Sequence, residues 1–449
     1  MTRDVARLVQ ERRAGQRWPP AARKLPAPFI HSNVLPEPRA RITIPVRHAL
    51  VRRWGAVALC LSVGRAVQGQ PAVTLRQAVD SALIHGARAA VAGADLAASL
   101  AQLRMARALP NPTATASYTK ATPQYHAAIE LPVEYPWLRS ARIGAARSSV
   151  QSSRYTVTLE RARIRHDVTV FYVRALAAAD RSILSRRSAM DGDSLLRLAR
   201  VRRDAGDASD LDVDLSTIAT GQLLNAALAD SLAAISAVVE LQTLIGLATD
   251  RPTVGLADSL ALPPDDSVLV SGTPLRVAAA EAALRAAEQS LALERRSVLG
   301  TPAISAGFET GDPTGAEPGL LPTVGVSLPL PFLSRREGEI ALATANRDRA
   351  RALLALARLE SQAEIATAMR ERRAAILRAR RDLQLRRAAD RVAAMALTAY
   401  AEGAVALPYV LEVQRNAREA LAQYIDDVAA ARIADAALLL ATMQAPSPP

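Results

Sequence analysis

"SLPLPFLSRREGE", Ser327 to Glu339, carries an alternating stretch across a Pro-x-Pro break into a charged, proline-free block. The chain uses the same device earlier, as "ELPVEYPWLRSAR" from Glu130 to Arg142. Alternation at period two marks a strand, and a long block without proline marks a helix, because proline in a helix interior costs about 3 kcal/mol. Both stretches therefore read as strand-to-helix corners, built on Pro132 and Pro136 in the first and on Pro329 and Pro331 in the second.

Two corners imply a duplicated plan, and the prolines locate it. Proline-free blocks run over 72–109, 137–251, 275–301, 332–407 and 409–445. The long blocks break at Gly206, in "RRDAGDASDLDVD", and at Gly403, in "YAEGAVALPYVLEV", at nearly equal distances from their corners. Each half thus reads as helix, β pair, very long helix, tight turn and returning helix. The expected repeats are 70–251, with strands near 113–133 and a tip at 206, and 274–445, with strands near 303–330 and a tip at 403. A linker at 252–273 joins them, and 446–449 form a tail. A helix of about 65 residues is roughly 100 Å long, which suits a coiled-coil hairpin or a tube wall rather than a compact domain. Leu353, Leu354, Leu356, Leu359, Val392, Met395, Ala396 and Ala399 recur at spacings of three and four along the second long helix.

The strands alternate. Val324, Val326 and Leu328 oppose Thr323, Gly325 and Ser327, and Ile304, Ala306 and Phe308 oppose Ser305, Gly307 and Glu309. Four strands cannot close a membrane barrel, since every backbone group in lipid must be paired; an oligomer can. Six of the twelve aromatic residues after position 69 lie in these stretches (Tyr118, Tyr125, Tyr135, Trp137, Phe308 and Phe332), as an aromatic girdle requires.

The formal charge of +13 suggests nucleic acid until it is located. Residues 1–69 hold 13 of the 56 Lys and Arg but 3 of the 43 Asp and Glu, so the remainder is nearly balanced and nucleic acid is not an expected partner. That segment contains a signal peptide at 46–69: Arg47, Arg52 and Arg53, then "WGAVALCLSVG", then small residues that predict cleavage after Gly69. The lone Cys60 follows Leu59 too early in the run for a lipid attachment site. Residues 1–45, rich in Pro and Arg, read as a disordered or untranslated extension. No 18-residue uninterrupted apolar run is present, so membrane contact would use strands.

The arrangement resembles the TolC-type outer membrane efflux factor family over about 73–444. The resemblance rests on "TLRQAVDSAL", "ARALPNP", "SLPLPFLSRREGEIALA" and "YAEGAVALPYVLEVQRNAREAL", with the Pro-Leu-Pro, Arg336 and Gly338 closest to the CzcC-like heavy-metal efflux branch. "ALIHGAR" departs from it, with Gly86 and Ala87 where many members have Asn-Pro. The resemblance implies a mainly α fold with a small β part: duplicated helical hairpins form a periplasmic α-barrel, and four strands per protomer enter a trimeric 12-stranded outer-membrane β-barrel. It also implies a passive duct for small molecules or metal cations in the outer membrane of a Gram-negative bacterium. Expected partners are a homotrimer, a periplasmic adaptor of the membrane fusion class, an inner-membrane RND-type pump and outer-membrane lipid. Gly206, Ser209, Asp212, Tyr400 and Gly403 become candidate adaptor-docking positions. Glu412 becomes a candidate channel gate, with pairing to Arg415 or Arg418 as its alternative. Val405 stands where some members carry a basic lock, so no lock is expected at that position.

The competing class is a periplasmic coiled-coil adaptor without a pore, which would need larger Gly-rich β domains. "DASDLDVD" lacks the glycine and glutamate of a calcium loop and reads as helix capping by Ser209 or Asp210. His85, His126 and His166 have no metal-site spacing, and no nucleotide loop or serine elbow is present. Neither cofactor, resident metal nor catalytic site is expected.

Overall fold

The computed structural model describes residues 72–247, 249–264, 272–312, 314–315 and 319–445. The expected extension, signal peptide, Cys60, the Gly69 cleavage point and the 446–449 tail lie outside them, as do 265–271 of the linker. The order is β1 (Ala72–Val73), α1 (Leu75–His85), α2 (Ala87–Arg107), β2 (Thr113–Tyr118), β3 (Tyr125–Pro132), α3 (Pro136–Asp204) and α4 (Asp210–Leu244). Then come β4 (Gly255–Leu256), α5 (Leu275–Arg296), β5 (Ala303–Thr310), β6 (Leu321–Ser327), α6 (Glu337–Ala401) and α7 (Leu407–Thr442).

The two long helices have 69 and 65 residues, or roughly 100 Å each at 1.5 Å per residue. Their starts differ. Pro136 occupies the first turn of α3, where its missing N–H costs nothing and its fixed φ suits the helix. The second corner departs from the sequence reading, because α6 begins at Glu337 rather than directly after Pro331. Arg336 precedes it in a left-handed conformation, φ 56°. That geometry costs a non-glycine residue about 1–2 kcal/mol, and an ion pair from Arg336 Nη2 to Glu294 of α5, at 2.8 Å, holds the side chain there.

A second departure is at Gly86, which splits the first proline-free block into α1 and α2. A Cβ at Gly86 would stand 2.2 Å from the Ala82 carbonyl oxygen, so the break needs glycine. The large apolar residues expected to seal α6 also behave differently. Leu354 and Ala396 are buried, whereas Leu353, Leu356, Leu359, Val392 and Met395 are exposed. The buried seam is made of small side chains: Ala343, Ala357, Ala368, Ala375 and Ala379 on α6 and Ala417, Ala429, Ala431, Ala434 and Ala436 on α7.

The inter-repeat linker is tied down at its start. β4 pairs in parallel with β1, and the buried Tyr172 hydroxyl donates to Val73 O at 2.8 Å and accepts from Asp258 N at 3.3 Å. Asp258 Oδ2 accepts the Leu75 N–H at the start of α1. Fully buried Gln242 accepts from Thr253 N and Val254 N and donates to Arg251 O, so its amide is satisfied by the strap itself. α4 is long and apolar enough to cross a bilayer by composition, with a mean hydropathy of 1.5 in its most apolar window. Interspersed Ser, Thr, Gly and Asn kept it from reading as an unbroken apolar run. It packs along α3 and leaves Leu211, Ile218, Leu228 and Leu232 exposed.

Between α6 and α7 lies a buried carboxylate pair, Asp382 and Asp427. Burial works against the charge on Asp427, but hydrogen bonds from Asp382, Gln423 and Arg378 outweigh it and hold its carboxyl below the usual range. The same hydrogen bond, together with burial, raises Asp382, so of the two carboxyls it is the one that keeps its proton to higher pH. Because its folded value is raised, the stability Asp382 contributes is full at low pH and is lost as pH climbs above the ordinary aspartate range. Asp382→Asn supplies a donor that needs no proton. It should stabilise the fold by about 1 kcal/mol near neutrality, an advantage that shrinks on acidification; thermal melts of both proteins across pH check this. An advantage independent of pH would contradict the shared proton.

Candidate functional site

Three features bear on function: the sheet, the corners and the hairpin tips. The sheet runs β2-β3-β5-β6, antiparallel throughout, so the two halves of the duplication meet at β3 and β5. Register places Ala114, Ile129, Ala306 and Val324 in one row and Ala116, Ala127, Phe308 and Pro322 in the next, on one face. The opposite face carries Thr115, Ala128, Gly307 and Thr323, then Ser117, His126, Glu309 and Leu321. One face is apolar and the other largely polar. β3 and β5 have eight residues each, about 26 Å before any tilt, against an apolar band of about 25 Å in membrane barrels. The outer edges of β2 and β6 have no strand partner among the described residues, and Pro322 stands at the very start of β6, where a missing N–H interrupts the ladder least.

Aromatic side chains flank the sheet at both ends. Tyr118 and Tyr125 pack at 5.3 Å beside the β2–β3 loop. At the helix end Tyr135 and Trp137 stack at 4.5 Å, and Phe332 and Leu333 are exposed. Phe308 sits in the apolar row between. Of the corner prolines, Pro132 closes β3, Pro136 opens α3, and Pro329 and Pro331 lie between β6 and α6.

The tips share one geometry. Gly206 N–H bonds Arg203 O and Asp207 N–H bonds Arg202 O; Gly403 N–H bonds Tyr400 O and Ala404 N–H bonds Ala399 O. Both glycines have positive φ, 85° and 76°, as this helix-ending turn requires. Ser209 caps α4 reciprocally with Asp212: the Asp212 N–H donates to Ser209 Oγ and the Ser209 N–H to Asp212 Oδ2. α7 has no side-chain cap.

Arg202 was not legible as a tip residue from the sequence. It reaches from the first hairpin to the second, donating to Tyr400 O at 2.6 Å and to Asp207 O at 3.3 Å, with its guanidinium 4.8 Å from the Tyr400 ring centre. A cation therefore ties the tips together, although Val405 packs with an apolar cluster of Leu195, Ala396, Tyr400, Leu407 and Val410. Glu412 is exposed, and both its oxygens accept from Arg415 Nη2, at 2.7 and 2.9 Å. That hydrogen bond holds the Glu412 carboxyl below its usual range. Burial instead lowers Arg418, which lines a cleft between α3, α6 and α7 with Arg187, Asp191 and Asp390.

No family model matches the chain. The cobalt-zinc-cadmium resistance protein CzcC of Cupriavidus metallidurans is 28% identical over 289 residues, 62% of this chain and 68% of that one. Among solved structures, the outer membrane protein VceC of Vibrio cholerae aligns with a TM-score of 0.67 at 17% identity, over 82% of this chain and 95% of that chain. A membrane protein of Pseudomonas aeruginosa gives 0.68 at 20% over 82% and 93%, and the Campylobacter jejuni CmeC outer membrane channel gives 0.67 at 14% over 82% and 85%. The chain has the fold of these membrane proteins, mainly α with a small sheet.

Arg202→Ala should remove both the hydrogen bond and the ring contact that join the tips. Amide hydrogen exchange at 399–405 should then accelerate severalfold while the Asp382 region is unchanged. Equal exchange in both proteins would show that the apolar cluster alone holds the tips.

Proposed function

We propose that this chain is the outer-membrane channel component of a tripartite efflux system: a passive trimeric duct, closed as a 12-stranded barrel and continued into the periplasm by its helices. One observation carries the reading. A four-stranded sheet with an apolar face, a largely polar face and two edges unpaired among the described residues leads through proline corners into helices of about 100 Å. In lipid both edges must be paired, and copies arranged about one axis pair them in turn.

Charge supports a second copy beside the helices. α4 contains Asp210, Asp212, Asp214, Asp230 and Glu240 and no Lys or Arg, whereas residues 370–391 of α6 hold nine Arg against Glu371, Asp382 and Asp390. Counted from the tips, the arginine run lies 10–31 residues along α6, at the levels of Asp230 and Glu240 on α4, while Asp210, Asp212 and Asp214 lie nearer the tip. The exposed leucines of both helices supply apolar area for the same contact. A pore-free adaptor leaves the two-faced sheet without a role.

The tips, at Gly206, Ser209, Asp212, Tyr400 and Gly403, are the proposed docking surface for a periplasmic adaptor serving an inner-membrane pump. The name of the CzcC relative makes divalent cations the first cargo to test. Gly403→Trp strains one turn by about 1–2 kcal/mol and blocks helix approach there. Normal outer-membrane abundance with export and metal resistance lost is the expected outcome; normal export would remove Gly403 from the docking surface.

Glu412 is the proposed luminal acid, and threefold symmetry would bring three carboxylates around one axis. Each already faces Arg415, so the ring acts as ion pairs rather than bare charge. Glu412→Gln should therefore lower cation-over-anion permeability in planar bilayers by only about twofold, and an unchanged ratio would place Glu412 outside the lumen.

A further inference from the structure

Four helices adjoin the sheet, and all four carry arginine at that end. α2 and α5 run into β2 and β5, and α3 and α6 leave β3 and β6. The last turn of α2 holds Arg104 and Arg107, and that of α5 holds Arg295 and Arg296. Arg139 and Arg142 lie in the first two turns of α3, and Arg335 and Arg336 precede α6. Contacts draw these ends together. Arg139 Nη2 donates to Arg107 O at 3.2 Å and Arg142 Nη2 to Ala108 O at 3.4 Å. Arg336 ties α6 to Glu294 of α5, and the Val133 N–H donates to Pro302 O at 2.8 Å.

Ordinary structural roles account for part of this charge. Arg142 pairs with Glu134 and Arg336 with Glu294. At the ends of α2 and α5 a cation faces the negative pole of the helix dipole. At the start of α3 the dipole favours acids instead, and its first turn has none. Arg104, Arg107, Arg295, Arg296 and Arg335 are exposed and have no side-chain partner among the described residues. Large apolar side chains stand exposed beside them at each junction: Met105 and Leu109 at α2, Trp137 at α3, Leu299 at α5, Phe332 and Leu333 at α6. The apolar face of the sheet runs up to the same level, its last row being Leu131, Ile304 and Val326.

We propose that the helix-to-sheet junction is a docking belt for anionic phospholipid, whose headgroup phosphates the five free arginines engage. Water serves exposed apolar groups poorly, whereas a bilayer interface serves both kinds of side chain. The apolar groups enter the acyl boundary, and the arginine stems lie along it with their charged ends among the headgroups. Guanidinium suits phosphate because its planar fork donates two parallel hydrogen bonds. The inference deepens the duct reading and rests on it for the sheet lying in lipid.

The test is the phospholipid that the full chain retains from mixed micelles of phosphatidylglycerol and phosphatidylcholine, counted by native mass spectrometry. Phosphatidylglycerol should be retained in at least tenfold excess, and inorganic phosphate at the same concentration should not displace it. Arg104→Gln with Arg107→Gln and Arg335→Gln, and separately Arg295→Gln with Arg296→Gln, should each cut that excess at least threefold. Lysine at the same positions, which keeps the charge, should restore most of it. Equal retention of the two lipids, or an excess unchanged in the glutamine variants, overturns the belt. Displacement by inorganic phosphate would mark a free-anion site, and an oligomer lost in the variants would mark a contact between copies; either overturns the lipid assignment. Phosphatidylglycerol held by a protein that never conducts in planar bilayers overturns the duct and leaves the belt standing, and conduction without lipid preference does the reverse.

Discussion

Close approach of helices along alanine seams is the interaction on which the rest depends. A helix of 65 residues has no core of its own, and the seam between α6 and α7 is lined mainly by alanine. Each methyl buried there contributes only about 0.8 kcal/mol, but the seam is long and alanine adds almost no side-chain ordering cost. Small residues also let α7 run closely along the tip-side part of α6, while α5 packs along α6 as well. The two halves are joined at the tips by Arg202 with Tyr400 and at the sheet by the register between β3 and β5.

Much of the plan was legible because proline and glycine act locally. Absence of proline marked the extents of α3 and α7 to within a few residues, and Gly206 and Gly403 marked turns whose positive φ only glycine adopts readily. The misses share one cause. The start of α6 at Glu337 depends on Arg336 being held by Glu294, 42 residues away, and the tied linker depends on Tyr172 and Gln242. Arg202 with Tyr400 and His126 with Glu309 are each separated by more than 180 residues. Periodicity within a window carries no information about such pairs. The alternation did place Glu309 on the polar face of its strand; only the register brought His126 opposite it.

Leucines on α6 that looked like seam residues point outward, while alanines fill the seam within the protomer. Hydrophobic spacing reports that a face is covered without saying by what. The exposed leucines of α6 are not covered by this protomer, whose own seams are filled by alanine together with Leu354, Ile376 and Tyr400.

The two tips do not have equal local support. The first has a reciprocal cap between Ser209 and Asp212 and two acidic residues in the first turn of α4, next to the positive end of its dipole. The second has neither: α7 starts at Leu407 and Pro408 with no side-chain cap and no acid in its first turn. Its turn is held by the Tyr400 cluster and by Arg202, a residue of the first hairpin. Stability at the second tip is thus borrowed across the gap between hairpins, and a disturbance that separates them weakens the second far more than the first. Of the two hairpins, the one built on α6 and α7 therefore depends on the other for the order of its end.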